Sequence, residues 1–160
     1  MIKGKRHVLL DSSVYGAMID DERHYPVDSK EHWDIVYSKA IMNLLGRLEF
    51  YGCRPIEEEL KRASDIFSVK LLEKYSIARR LRETKLVSRL GEEYRLEGIY
   101  PPDAVILAYV SAHRIDMLVT INRRHLKAPE TLRKLKGVNK RHRLRCPLIL
   151  IPGELFELII

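Results

Sequence analysis

Four short apolar runs alternate along the chain with longer segments of helical periodicity. The apolar runs occupy residues 7–11, 50–53, 117–121 and 147–151, and each is short enough for a strand that is buried on both faces. Apolar strands separated by helices favour a parallel sheet with helices on both sides. The pattern therefore predicts an α/β protein with a central, mainly parallel sheet.

Helical spacing of apolar residues predicts the connecting segments. Residues 31–48 form an amphipathic pattern that starts near Trp33 and Val36, and Pro55 opens a helix over 56–63. A third helix, capped by Asp65 or Ser68, continues to residue 78. Further helices are predicted over 84–96 and over 104–112, and a short helix or tail follows Glu154.

Length and composition place the chain among ordinary globular proteins. It has 160 residues, 46% hydrophobic and 32% charged, which suits a single domain over residues 1–160. The first apolar run is too short for a signal peptide or a membrane span, so we expect a cytoplasmic protein. Cys53 and Cys146 lie in no metal-binding spacing and are predicted to be reduced, packed side chains. The absence of glutamine hints at a thermophilic source.

The positive charge is concentrated in one late segment. The net charge is +7, but residues 123–145 contain ten Lys or Arg and one acid, a balance of +9, which leaves −2 for the rest. Such a segment attracts polyanions by releasing their counterions. A solvated surface of the kind found in thermophiles is the alternative explanation.

Polar side chains follow two of the predicted strands. Asp11 closes the first strand and precedes Ser12 and Ser13, and Asn122 directly follows the strand 117–121. Ligands of parallel sheets bind outside the carboxyl ends of the strands, so these groups lie where a site is expected.

Two acids at predicted helix starts, Glu59 and Asp103, could face the same edge. Each has a simpler explanation, because an acid in a first helical turn stabilises the helix by about 0.3–1 kcal/mol. Asp103 could be only an N-cap, and Glu57 to Glu59 could be only a solvated face.

The ordered set of these residues resembles the PIN domain family. The resemblance rests on Val8–Ser13, on Glu59-Leu60, and on the stretches 102–108 and 116–122. Later features at 138–140, 147 and 154–155 are similar to an archaeal subset. The resemblance implies a three-layer α/β/α fold with about four to five strands, acids around a Mg²⁺ or Mn²⁺ ion, and endoribonuclease activity of the VapC-like kind.

The resemblance also implies roles for individual residues. Asp11 and Asp103 would ligate the metal, and Glu59, with Glu58 as the alternative, would orient or deprotonate a water. Ser12 or Thr120 would position a water or a phosphate oxygen. Asn122 departs from the family pattern, which usually has an aspartate there, and this predicts weaker binding of any second metal ion.

The basic segment would then hold RNA. Arg123 and Arg124 directly follow Asn122 and are predicted to flank the site, and a further set would extend the track: Lys140, Arg141, Arg143 and Arg145. Tyr15 and Tyr109 are expected in the core rather than stacked on bases. His125 and His142 are given no role, because a metal mechanism does not need them.

Several functions remain open from the sequence. The first is a metal-dependent ribonuclease, either the toxin of a toxin–antitoxin pair with an antitoxin partner or an RNA-processing enzyme. The second is an RNA-binding module without catalysis. A nucleotide-binding protein is disfavoured, because no GxGxxG or GxxxxGK[ST] motif follows a strand. Apolar stripes over 31–48 and 68–81 predict a homodimer.

Overall fold

The central sheet has four strands, all parallel. A computed structural model describes residues 5–44, 46–62, 70 and 79–159. The strands are β1 (Arg6–Leu10), β2 (Leu48–Tyr51), β3 (Met117–Val119) and β4 (Leu148–Leu150), in the order β2-β1-β3-β4. Because all strands are parallel, their ends define a carboxyl edge and their starts define an amino edge. The predicted parallel sheet is confirmed.

Seven α-helices are present in the described part of the chain. They are α1 (Ser12–Ile19), α2 (Lys30–Ala40), α3 (Arg54–Arg62), α4 (Lys85–Leu96), α5 (Pro101–Ala112), α6 (Pro129–Arg141) and α7 (Pro152–Ile159). Two short 3₁₀ helices, Glu22–His24 and Ile41–Leu44, flank α2. Within the segments that the structure covers, no helix is long and apolar enough to cross a membrane.

The helices form two layers around the sheet. α2 packs against α1 and α7, whereas α4 packs against α5 and α6. This division agrees with right-handed crossovers, which place the connections from β1 to β2 on one face and those from β2 through β3 to β4 on the other. The α/β/α arrangement that the sequence analysis expected is confirmed.

Burial explains why the strands are so uniformly apolar. Val8, Leu9 and Leu10 of β1 are completely buried, and burying each such side chain contributes about 1.5–3 kcal/mol. α5 is buried on more than one side, since its residues from Ile106 to Ser111 are at most 3% exposed. Cys53 is buried and Cys146 is half-buried, and both are free, as predicted.

Several elements differ from the sequence predictions. The helix predicted over 31–48 ends at Ala40, and Leu48 belongs to β2. Its buried side chains include Asp34 and Ile35, whereas Trp33 and Tyr37 are exposed. Helices α1 and α6 were not predicted. The helix predicted from Asp65 or Ser68 lies almost wholly outside the described residues, and so does most of the dimer stripe over 68–81.

Candidate active site

A cleft of about 440 Å³ lies at the carboxyl edge of the sheet. It brings together Asp11, Glu59, Asp103 and Asn122, which the sequence analysis placed there, although they come from four different parts of the chain. The residues that line it are Asp11, Ser12, Ser13, Gly16, Glu59, Leu60, Tyr100, Pro102, Asp103, Ile106 and Asn122.

Asp11 is held at the junction of β1 and α1. Its backbone N–H donates to the Val119 carbonyl at 2.9 Å, which continues the parallel ladder to β3. Its side chain makes no capping bond to α1 and is only 5% exposed. The Ser13 and Thr120 hydroxyls both donate to the same carboxylate oxygen, Oδ2, at 2.7 and 2.9 Å. These bonds orient the carboxylate and leave the lone pairs of Oδ1 for a ligand.

The three consecutive glutamates of α3 have three different environments. Glu57 is buried and pairs with Arg80 at 2.7 Å, and Glu58 is half-exposed and pairs with Arg54 at 2.9 Å. Glu59 lines the cleft and accepts a hydrogen bond from the Ser12 hydroxyl. The helical register therefore directs Glu59, rather than Glu58, towards Asp11.

Asp103 lies in the first turn of α5 and is 7% exposed. It is not the N-cap, since Tyr100 occupies that position. The pKa of Asp103 is raised from 3.8 to about 6, chiefly by burial; the charge of His125 opposes this rise, and the nearby charges of Asp11 and Glu59 add to it. The three carboxylates are thus close enough to repel one another.

Asn122 follows β3 and lines the cleft, but its side chain also shapes the backbone. Its side-chain carbonyl oxygen accepts a hydrogen bond from the backbone N–H of His125 at 3.2 Å, which closes the turn after β3. An aspartate at this position would keep the same bond and add a charge. Asn122 therefore supplies the geometry of the expected acid without its charge.

Thr120 lies behind the cleft rather than in it. It is completely buried, so of the two hydroxyls expected to position a water or a phosphate oxygen, that of Ser12 lines the cleft and that of Thr120 does not. Its hydroxyl donates to Asp11 and accepts from the Asn122 N–H at 3.0 Å. Thr120 is therefore a positioning residue that connects Asp11 with the turn of Asn122.

The basic residues are divided between two places. Arg123 turns away from the cleft and forms a two-pronged ion pair with Asp34 of α2, at 2.7 and 2.8 Å. Arg124 is exposed beside Asn122. The other four residues of the expected track are Lys140, Arg141, Arg143 and Arg145. They lie in or beyond the last turn of α6, towards the amino edge, and their role in RNA binding stays a prediction.

Sequence reasoning overlooked two groups beside the acids. The ring centroid of Tyr100 lies 5.4 Å from that of His125, and Tyr100 lines the cleft. His125 faces Asp103 closely enough to lower its pKa, whereas the sequence analysis gave it no role. His142 contacts Glu93, away from the cleft. Tyr15 and Tyr109 are core residues, as predicted.

The cleft offers oxygen donors that suit a hard divalent cation. Carboxylate and hydroxyl oxygens line it, and Mg²⁺ typically takes one or two carboxylates and keeps several waters. Among the residues that the structure describes, no group of three or more His, Cys, Asp or Glu side chains is close enough to enclose a metal. The cleft therefore supplies oxygen donors of the right kind, but the described residues form no closed cage for a metal.

Comparison with known proteins gives a likeness of fold. No protein-family model matches the sequence, and no curated protein matches it in sequence. A chain of VapBC2 from Rickettsia felis, crystallised with a DNA fragment from its promoter, superposes with a TM-score of 0.54 and 11% identity. The match covers 91% of this chain and 98% of that chain. Similarity at this identity concerns the fold alone, and it supports the PIN-like arrangement that the sequence predicts.

Proposed function

We propose that this protein is a metal-dependent endoribonuclease with a PIN-like acidic centre. The observation that carries the proposal is the convergence of Asp11, Glu59 and Asp103, from three separate elements, on one cleft. Their mutual repulsion and the burial of Asp103 cost free energy, as the raised pKa of Asp103 indicates. A bound divalent cation would offset this cost.

Asp11 and Asp103 would hold Mg²⁺ or Mn²⁺, with waters completing the coordination. Such an ion, when bound, makes a nearby water more acidic and offsets the charge of a phosphate. The chain's own groups supply the orientation: Ser13 and Thr120 fix Asp11, and the hydroxyl of Ser12 holds Glu59.

Glu59 would orient or deprotonate the attacking water. It lines the same cleft as Asp103 but comes from a different helix, so both carboxylates would face a phosphate that binds there with the metal ion. Arg124, exposed two positions after Asn122, would hold an adjacent phosphate. The expected products of hydrolysis are a 5′-phosphate and a 3′-hydroxyl.

A catalytically weakened PIN-like module that binds RNA is the second candidate. Asn122 favours it, because an amide at this position lowers the charge available for a cation.

The fold neighbour belongs to VapBC2, which supports an antitoxin as partner and a toxin role for this chain. A homodimer is supported by the exposed aromatic stripe of Trp33 and Tyr37 on α2.

The test is cleavage of a labelled single-stranded RNA in the presence of Mn²⁺. We expect cleavage by the wild-type protein that is lost in EDTA and in the variant Asp11→Asn. Asp34→Asn is the matched control, because Asp34 is an equally buried carboxylate that lies outside the cleft. Cleavage that survives Asp11→Asn and EDTA would exclude the proposal, whereas RNA binding without cleavage in any divalent metal would favour the second candidate.

A further inference from the structure

Three helices on one face of the sheet end in the same hydrogen-bonded motif. In each, the second residue after the helix donates its backbone N–H to the carbonyl three positions earlier, and the next residue donates to the carbonyl five positions earlier. The pairs are Gly98 and Ile99 after α4, Arg114 and Ile115 after α5, and Arg143 and Leu144 after α6. This motif requires a left-handed residue at its first position, where glycine is usual.

Glycine occupies the motif in only one of these three cases. Gly98 has φ 93°, but Arg114 and Arg143 both adopt φ 55°. A residue with a side chain is strained in this region, so each arginine replaces a glycine that would be more stable there. The motif that keeps glycine ends α4, whereas both arginines lie at the amino edge of the sheet.

The two arginines are part of one exposed basic surface. The guanidinium of Arg145 donates to the Arg114 carbonyl at 3.2 Å and pairs with Asp116 at 2.8 Å, which joins the ends of α5 and α6. We define the amino-edge patch as four exposed residues: Arg114, Lys140, Arg143 and Arg145. Within the described segments, Arg114, Lys140 and Arg143 form no ion pair, so their charges are available to a partner.

A purely structural explanation accounts for only part of this arrangement. Cations near a helix C-terminus are stabilised by the macrodipole. Lys140 and Arg141 already occupy the last turn of α6 and obtain that benefit without backbone strain. The dipole therefore does not explain why Arg143 and Arg114 take the left-handed positions beyond the helix ends.

We propose that the amino-edge patch is a second RNA-binding surface, separate from the cleft, that holds the phosphates of a long substrate. This inference rests on the proposed function for the identity of the polyanion. α6 separates the two places and is about 20 Å long. Its exposed face carries further basic residues, Arg133 and Lys136, between them. An RNA that follows α6 would occupy both edges at once.

The inference is tested by RNA binding without catalysis. Fluorescence anisotropy of a long labelled single-stranded RNA is measured in EDTA at several salt concentrations, with the double variant Arg114→Gly/Arg143→Gly. Glycine is favoured at both positions, so the variant should fold. We expect weaker binding and a salt dependence that is shallower by about 0.7 per arginine removed.

The control is Arg23→Ala/Lys30→Ala, which removes the same charge on the other face of the sheet. We expect it to retain the wild-type salt dependence. Equal losses in both doubles, an unchanged glycine double, or no RNA binding by the wild type would overturn the inference. If the glycine double variant binds RNA weakly and the wild-type protein cleaves none, the nuclease proposal fails and the patch proposal stands. If the wild-type protein cleaves RNA, Asp11→Asn abolishes cleavage, and the glycine double variant binds as the wild type does, the patch proposal fails and the nuclease proposal stands.

Discussion

At the carboxyl edge of the sheet Asp11, Glu59 and Asp103 share one cleft, whereas at the amino edge Arg114, Arg143 and Arg145 surround the ends of two helices. The helix dipole favours the positions of Asp11, Asp103 and the arginines, because it stabilises acids at helix N-termini and bases at C-termini by about 0.3–1 kcal/mol each. Glu59 lies beyond the first turn of α3 and does not gain from it. At both edges, however, the arrangement goes beyond what the dipole favours. Asp103 is buried with a raised pKa, and two arginines adopt a left-handed backbone.

The difference between the edges lies in the kind of cost that each carries. The acidic edge loses stability through electrostatics, which a bound cation would reverse. The basic edge loses stability through backbone conformation, which a ligand cannot relieve. Asp21 provides a contrast on the surface, since its hydrogen bond with Arg23 lowers its pKa and no cost remains. Features that cost free energy therefore mark the two places where function is proposed.

The largest expected effect is a difference in RNA cleavage rate between variants of two neighbouring glutamates of α3. Glu59→Gln should reduce RNA cleavage about 100-fold or more, because it removes the carboxylate that we assign to the attacking water. Glu58→Gln, one position away, should leave the rate nearly unchanged, since Glu58 faces solvent and pairs with Arg54. Initial rates with Mn²⁺ would measure both. Equal losses would mean that α3 presents a different residue to the cleft.

Removal of the Thr120 hydroxyl should reduce both RNA cleavage and stability, because Thr120 positions Asp11 from outside the cleft. Thr120→Val deletes one of the two hydroxyl donors to Asp11, which keeps the bond from Ser13, and it removes the acceptor of the Asn122 N–H. We expect a loss of about 10-fold or more in cleavage and about 1–3 kcal/mol in unfolding free energy. Thr120→Ser keeps both bonds and should restore the rate. A valine variant as active as the wild type would show that Thr120 does not position Asp11 for cleavage.

The free-energy penalty of burying the charged Asp103 carboxylate should make the free energy of unfolding depend on pH. Its folded pKa of about 6 lies above the ordinary 3.8, so between these values the folded state keeps a proton that the unfolded state has released. The free energy of unfolding therefore decreases as pH rises through this window, and the full penalty applies above pH 6.

The variant Asp103→Asn removes that penalty. In EDTA, urea unfolding should show it about 1–3 kcal/mol more stable than the wild type above pH 6, with the gap closing towards pH 4. A variant that is less stable above pH 6, or a gap that does not depend on pH, would show that burial of Asp103 is compensated in another way.

The smallest effect concerns the helix ends. Gly98→Ala should lower the unfolding free energy by about 1 kcal/mol, because Gly98 adopts φ 93°. Arg143→Gly should raise it by a similar amount, since the same motif then receives its preferred residue. Thermal unfolding of the two variants measures both signs. Changes of the same sign would mean that Arg143 stabilises the fold and is not strained there.

The sequence predicted the strands, α3, α4 and α5 well, because burial and periodicity mark them directly. It did not predict α1, where Val14, Tyr15, Ala17 and Met18 are all buried, so no polar face alternates with an apolar one. It did not predict α6 either, whose charges concealed a buried stripe that includes Leu135 and Val138.

The missed α6 also explains why the distance between the cleft and the rest of the basic track was not foreseen. Lys140 lies only 18 positions after Asn122 in the sequence, which made the two seem close. The intervening helix carries Lys140 along the sheet to the opposite edge. In contrast, Asp11, Glu59, Asp103 and Asn122 were grouped correctly in one place, because strand ends and helix starts meet at one edge of a parallel sheet. Their catalytic roles stay predictions.

The central claim is that the carboxylates of the carboxyl edge act as one metal-binding centre, and Mn²⁺ titration by calorimetry tests it most directly. We expect the wild-type protein to bind Mn²⁺, and to release protons on binding near pH 6, where Asp103 is partly protonated. Asp11→Asn and Asp103→Asn should each abolish binding, whereas Asp34→Asn should retain it. Unchanged Mn²⁺ binding in both cleft variants, or no binding by the wild type, would contradict the account.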